Sequence, residues 1–212
     1  MKSIFICIII LIMMTAVTAV SEDHPINATT ADGRTVVLYP EGTWDYVTSD
    51  RGQSQSSAVF EKPEGATSAI KSKKGLVEVW YDPSKWNLIQ TSTNGDAEFM
   101  LEHATEDCFA LVIVERISMT LETLRNLAVE NARAAGSSVD VVEEEVRRIN
   151  GRNMLVMGIE GIIEGIMFHY QGYYWAGKSG AVQVVAFTGS NLFGEYRQDI
   201  DDLLNGTMIL AD

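Results

Sequence analysis

Cysteine is almost absent from this chain of 212 residues, which has two, Cys7 and Cys108. Cys7 lies in an apolar leader, so an exported mature chain would hold Cys108 alone and could form no internal disulfide. Its stability must then come from an apolar core, and a chain of this length is large enough to build one. Histidine is also scarce, with His24, His103 and His169 only, which leaves little for a metal centre. Basic charge is short: 16 Lys plus Arg stand against 29 Asp plus Glu, for a formal net charge of −13. A body so acidic repels phosphate backbones and anionic lipid surfaces, which excludes nucleic acid as an expected partner. Several motifs are missing as well: Cys-x-x-Cys, His-Glu-x-x-His, a Gly-rich phosphate loop with Lys-Ser/Thr, and Gly-x-Ser-x-Gly. No catalytic, cofactor-binding or metal-binding residue is therefore assigned, and no cofactor is expected.

What is present begins with a leader. Lys2 precedes an uninterrupted apolar run over residues 4–14, and small uncharged residues follow to Ala19. This is the pattern of a secretory signal peptide. Val17 and Ala19 occupy the −3 and −1 positions, which predicts cleavage after Ala19 and a periplasmic or secreted protein. The alternative is an uncleaved anchor, since residues 4–20 approach the roughly 17–25 residues needed to span hydrocarbon. In that case the leader would be the chain's one membrane contact. Cys7 lacks the flanking residues of a lipid-modified cysteine, and Asn27-Ala28-Thr29 and Asn205-Gly206-Thr207 are read as chance matches to the glycosylation pattern.

Composition then divides the mature chain. Residues 27–47 read as a small β-meander around the turns Asp32-Gly33 and Pro40-Glu41-Gly42. Residues 48–58, polar and rich in Ser, Gln and Gly, read as a linker. Residues 59–210 form the main domain. Alternating segments over 75–81, 86–91, 97–104 and 109–116 predict strands. Then the period changes: Leu121, Leu124, Ala128, Ala132 and Ala135 recur at helical spacing from Thr120, with Gly136 as the stop. Further strands follow over 139–149, 153–160, 165–176 and 181–188, the first two joined by Asn150-Gly151. A last helix is expected to start at a Ser190 or Asn191 cap, to show Leu192, Phe193, Tyr196, Ile200, Leu203 and Leu204 on one side, and to stop at Asn205-Gly206. Strands, helix, strands, helix predicts an α+β fold: an antiparallel sheet covered by two amphipathic helices, with the small meander as an N-terminal appendage.

Candidate chemistry reduces to structure at most positions. Gly158, Gly161 and Gly165 read as backbone devices within a strand region, and Ser190 as a helix cap, because Thr188 and Leu192 stand where a nucleophile elbow needs glycine. Cys108 follows two acids that would raise its pKa and reads as a structural thiol despite His103 nearby. His24 falls in an N-terminal tail, and His169 alternates with Phe168 and Tyr170 on a strand. Glu143-Glu144-Glu145 reads as a solvated edge that discourages strand addition. Asp199, Asp201 and Asp202 oppose the macrodipole of the last helix, which calls for compensation; a solvated face beside Arg197 is favoured over a cation site. Tyr170, Tyr173, Tyr174 and Trp175 are dense for one strand. Alternation sends Tyr173 and Trp175 to one face and Tyr174 to the other, so packing under a helix is favoured. If a face is uncovered, Tyr173, Tyr174 and Trp175 are the partner surface to test, together with Trp44 of the meander.

Tyr81-Asp82-Pro83 with Trp86, Val114-Glu115-Arg116, the Leu121/Leu124 helix, Ile149-Asn150-Gly151, Tyr173-Tyr174-Trp175, residues 182–188 and the closing Leu203-Leu204-Asn205-Gly206 together resemble the PsbP/DcrB-like α/β/α superfamily over residues 61–210. Residues 32–44 resemble a small β-hairpin found at the start of many exported bacterial proteins. The resemblance implies a noncatalytic accessory protein of the periplasm or a lumen, in a group with diverse partners, and it assigns no catalytic residue. The expected function is thus an exported noncatalytic accessory or binding protein of the bacterial envelope, acting on an unknown protein or small ligand. The alternatives are a hydrolase-type enzyme with a site assembled from distant residues, and a membrane-tethered assembly factor if the leader stays.

Overall fold

Four consecutive segments in the second half of the chain alternate side chains between two faces, buried on the inner three and largely exposed on the first, which is the sheet edge. These are β9 (Ser137–Ile149), β10 (Arg152–Ile163), β11 (Ile166–Gly177) and β12 (Gly180–Gly189). The computed structural model describes residues 26–30, 35–38, 44–46, 60–89 and 96–211. In it these strands follow one another antiparallel. Asn150 and Gly151 both take positive φ, 45° and 83°, the mirror-image turn whose twist matches a hairpin. Before them come β6 (Trp86–Ile89), β7 (Ala97–His103) and β8 (Cys108–Glu115). The seven form one antiparallel sheet in the order β6-β7-β8-β12-β11-β10-β9.

The helix α1 (Leu121–Ala135) crosses between β8 and β9, with the Thr120 hydroxyl accepting from the Thr123 N–H and the Gly136 N–H closing on Ala132. Its buried Leu124, Ala128 and Val129 meet Leu155, Met157, Ile159 and Tyr174 on one sheet face. The other face is larger. There α2 (Phe193–Asn205) lays Tyr196, Ile200, Leu203 and Leu204 on Ala110, Val112, Val114, Val182, Val184, Tyr173 and Trp175. A second small sheet, in the order β13-β5-β4, completes that cover with β4 (Ser68–Lys71), β5 (Val77–Tyr81) and β13 (Thr207–Ile209). This is the α+β architecture expected from sequence, with helices on opposite faces. Among the described residues no helix is long and apolar enough to cross a membrane.

The chain divides into two compact units, residues 1–56 and 57–212. In the first, β1 (Ile26–Thr29), β2 (Thr35–Leu38) and β3 (Trp44–Tyr46) form an antiparallel meander. The leader, His24, the two turns expected in the meander and the 48–58 linker lie outside the described residues.

Two details differ from expectation. α2 begins after Leu192, which offers no side-chain cap; Ser190 lies in the preceding turn, and its buried hydroxyl has no hydrogen-bond partner. The backbone bonds of that turn, Ser190 N–H to Met167 and Leu192 N–H to Gly189, delay the helix past the expected cap. The strands β4 and β13 had no counterpart in the sequence reading, because segments of four and three residues are too short to show a period.

Asn150 does more than turn the β9–β10 hairpin. Its side-chain amide donates to the Asn205 and Thr207 carbonyls at 2.8 Å each, and its carbonyl oxygen accepts from the Lys62 N–H at 3.0 Å. Its own N–H reaches the Phe60 carbonyl at 2.9 Å. One residue thus ties the domain's entry segment, its longest hairpin and the end of α2. Asn150→Ala removes three side-chain hydrogen bonds and strains a positive φ, and should cost about 3–4 kcal/mol. Asn150→Gly, which relieves only the strain, should cost about 1 kcal/mol less; urea unfolding midpoints compare the two.

Candidate functional site

Helix α1 packs over β9, β10 and β11, so the part of the same face carried by β8 and β12 is only half-buried. Phe109, Leu111, Ile113, Val185 and Phe187 are its apolar side chains. Phe187 stacks on Phe109 with ring centroids 5.7 Å apart and on Tyr170 at 5.3 Å. Toward this side α1 presents Ala128, Ala132 and Ala135, side chains too small to reach across. The result is a groove of about 730 Å³ between helix and sheet, within the range of roughly 300–1,000 Å³ typical of ligand sites. Its floor includes Leu111, Ile113, Val185 and Phe187 and its wall the α1 alanines, while Asp96 is the one acid or base in the lining.

One lining residue is out of character. Gln183 pairs across the sheet with Ile113 and Tyr174 and is only 8% exposed. Its side-chain amide makes no hydrogen bond among the described residues. Sequence reading passed over it as part of the strand at 181–188, although a lone glutamine inside Val182-Gln183-Val184-Val185 was a signal of a polar group held where its neighbours are buried.

Tyr173, Tyr174 and Trp175, raised from sequence as a partner surface if a face proved open, are buried. Tyr173 and Trp175 belong to the core under α2 and Tyr174 to the core under α1, as alternation requires. Covered by helices on both sides, they offer a partner no surface; only Tyr174 lines the groove. Gly172 is what admits the Tyr174 ring, since a Cβ at 172 would stand 2.6 Å from its hydroxyl oxygen. Trp44, on β3 of the small meander, is 42% exposed.

Apart from Glu144, which pairs with Arg125 of α1, the titratable residues singled out from sequence and described in the structure sit on the opposite face. His103 is buried, its Nδ1 2.9 Å from the Thr105 hydroxyl and its Nε2 3.1 Å from Asp199 Oδ2. The Thr105 hydroxyl also meets the Tyr196 hydroxyl at 2.8 Å. Lys85 bonds Asp199 at 2.6 Å and lies 3.6 Å from Asp202, and the bond to Asp199 holds its ammonium above the usual lysine range. Asp201 lies 3.8 Å from Arg197. The acids of α2 are therefore compensated chiefly by a lysine from the β5–β6 turn rather than by Arg197 alone. A second hollow of about 230 Å³ opens beside Lys85, Trp86, Asp82 and Asp202; neither cavity is lined by His103 or Thr105. His169 is buried against the Phe193 ring with centroids 3.5 Å apart, and its ring nitrogens lie 3.3 Å from Glu160 and Gln171. Glu143 and Glu145 pair with Arg147, and Glu144 with Arg125. The acidic edge is thus partly neutralised by its own strand and by α1.

Cys108 is fully buried, and desolvation pushes its thiol up to about 12. Burial likewise pushes the Tyr173 phenol up to about 12. Both groups bind their protons more tightly folded than unfolded, so stability should be level below about pH 9 and fall as pH rises from there toward 12. Thermal midpoints taken from pH 8 to pH 11 would show the decline. Iodoacetamide at pH 8 should leave Cys108 unmodified until the protein is unfolded.

The architecture around this groove is that of the PsbP-like α/β/α fold. The solution structure of the cyanobacterial PsbP, CyanoP, from Synechocystis sp. PCC 6803 matches it with a TM-score of 0.53 at 10% identity, covering 69% of this chain and 94% of that one. LpqN, involved in cell envelope biogenesis of Mycobacterium tuberculosis, gives a TM-score of 0.49 at 9% identity, covering 68% and 90%. The Ran-binding protein Mog1p of Saccharomyces cerevisiae gives 0.47 at 6%, covering 68% and 95%. At such identities the likeness is one of fold. No protein-family model matches the chain, and no curated protein matches it at a significant level.

Proposed function

We propose that the chain is an exported, noncatalytic binding protein of the bacterial envelope that holds its ligand in the groove between α1 and the sheet. The groove itself carries the reading: its volume suits a bound molecule, its lining is mostly apolar, and His103, His169 and Cys108 lie on the other face in hydrogen-bonded or buried settings. Export rests on the leader, with Lys2 ahead of the apolar run and small residues before the Ala19 cleavage point. Ala132 faces the groove from α1. Ala132→Trp should fill the groove, leave the circular dichroism spectrum unchanged, and weaken binding of the neutral apolar probe N-phenyl-1-naphthylamine by at least tenfold; unchanged probe binding in a folded variant would reject the groove as the site.

A second reading, a hydrolase, has one geometric observation in its favour: Thr105, His103 and Asp199 form a hydroxyl–imidazole–carboxylate chain in the order a nucleophile, base and orienting acid require. Against it, the Thr105 hydroxyl is shared with Tyr196 and Asp199 is engaged by Lys85, which suits a latch between the β7–β8 turn and α2. Thr105→Val should lower stability by about 1 kcal/mol and leave any turnover of p-nitrophenyl acetate by the purified protein unchanged. Abolished turnover with the fold intact would favour the enzyme.

A further inference from the structure

Gln183 is a polar side chain set among apolar ones in the groove. It projects from β12, between strands β8 and β11, onto the face that α1 leaves partly open. It is nine-tenths buried, lines the groove, and has neither donor nor acceptor satisfied by another described residue. Among the described residues the amide has no protein partner, so it depends on water in the groove or on a bound molecule for its hydrogen bonds, whereas leucine or methionine at this position would need neither. A hydrogen-bonding amide at the floor of a largely apolar groove, whose other polar lining residues are Asp96, Asn131, Tyr170 and Tyr174, is how ligand sites orient what they hold: apolar walls for the body, a few convergent polar atoms for the head.

The charge of the lining narrows the head group. Among the described residues Lys and Arg are missing from it, and Asp96 is the one ionisable group besides the tyrosines. Burial holds the Tyr170 and Tyr174 hydroxyls protonated beyond the ordinary phenol range, so apart from Asp96 the groove offers neutral donors and acceptors. An ionised carboxylate or phosphate entering it would lose its water without gaining a cation, and the chain's net charge of −13 opposes its approach. An uncharged head such as a primary amide or hydroxyl can both give and take a hydrogen bond at a glutamine side chain.

Resting on the binding reading above, we infer that the groove takes an uncharged amphiphile, an apolar chain lying along Phe187, Val185 and Ile113 with a neutral hydrogen-bonding head on the Gln183 amide. Fatty-acid anions are the ligands it discriminates against.

Titration calorimetry of the purified protein at pH 8 with decanamide, decan-1-ol and sodium decanoate, which share a ten-carbon chain, tests this without any variant. Decanamide should bind at least tenfold tighter than decanoate, with decanol between them; equal or tighter decanoate binding overturns the neutral-head inference. Gln183→Leu should weaken decanamide about tenfold, as expected for a lost neutral hydrogen bond, leave N-phenyl-1-naphthylamine binding unchanged, and raise the melting temperature of the unliganded protein by about 2 °C or more. A folded Gln183→Leu variant that keeps the full preference for decanamide removes Gln183 as the anchor. Failure of all three decyl compounds while the naphthylamine probe binds in an Ala132-sensitive way overturns this inference and spares the binding reading. Failure of the probe as well rejects both.

Discussion

A seven-stranded sheet has two apolar faces, and water must be kept from both by very few covering elements. On one face α2, with Tyr196, Ile200, Leu203 and Leu204, works together with the small sheet of β4, β5 and β13, and the core beneath is closed. On the other, α1 is the one covering helix among the described residues. A single helix of 15 residues is about 10 Å wide with its side chains, while adjacent strands lie about 4.8 Å apart, so it shields roughly two or three strands. The uncovered remainder over β8 and β12 follows from that width. The alanines at 128, 132 and 135 widen it further, because a leucine at any of them would reach toward the floor.

Much of this arrangement can be read in the sequence wherever one element carries its own punctuation. The Thr120 cap, the helical recurrence of apolar residues and the Gly136 stop mark α1 at both ends. Asn150-Gly151 marks the longest hairpin, and the opposite faces of Tyr173 and Tyr174 follow from the strand period. Legibility fails where structure depends on residues far apart in the chain. Ser190 had the right chemistry for a cap, and a turn bonded to Met167 displaced the helix start. The pairing of Lys85 with Asp199 spans 114 positions, and no local pattern announces it.

The candidate site shows the same limit more sharply. A groove floored by β8, β11 and β12 and walled by α1 exists only once the strand order β8-β12-β11 is known, and that order is not the order of the sequence. What the chain does display locally is the misfit of Gln183 among valines. Aromatic density drew attention instead to Tyr173 and Trp175, which are large because they fill the space under α2. Size at a buried position speaks of packing, whereas a polar side chain there marks a place where the sheet face stays open to water.

The knot of hydrogen bonds at Asn150 also bears on when the domain can finish folding. Its acceptors at 205 and 207 and its partners at 60 and 62 are separated by nearly the whole domain. A chain still emerging from a ribosome lacks the acceptors at 205 and 207 until α2 has been made, and the β9–β10 corner stays unclosed until then. Closure of that corner is thereby among the late events of folding, and a product truncated before residue 205 would be left with it open.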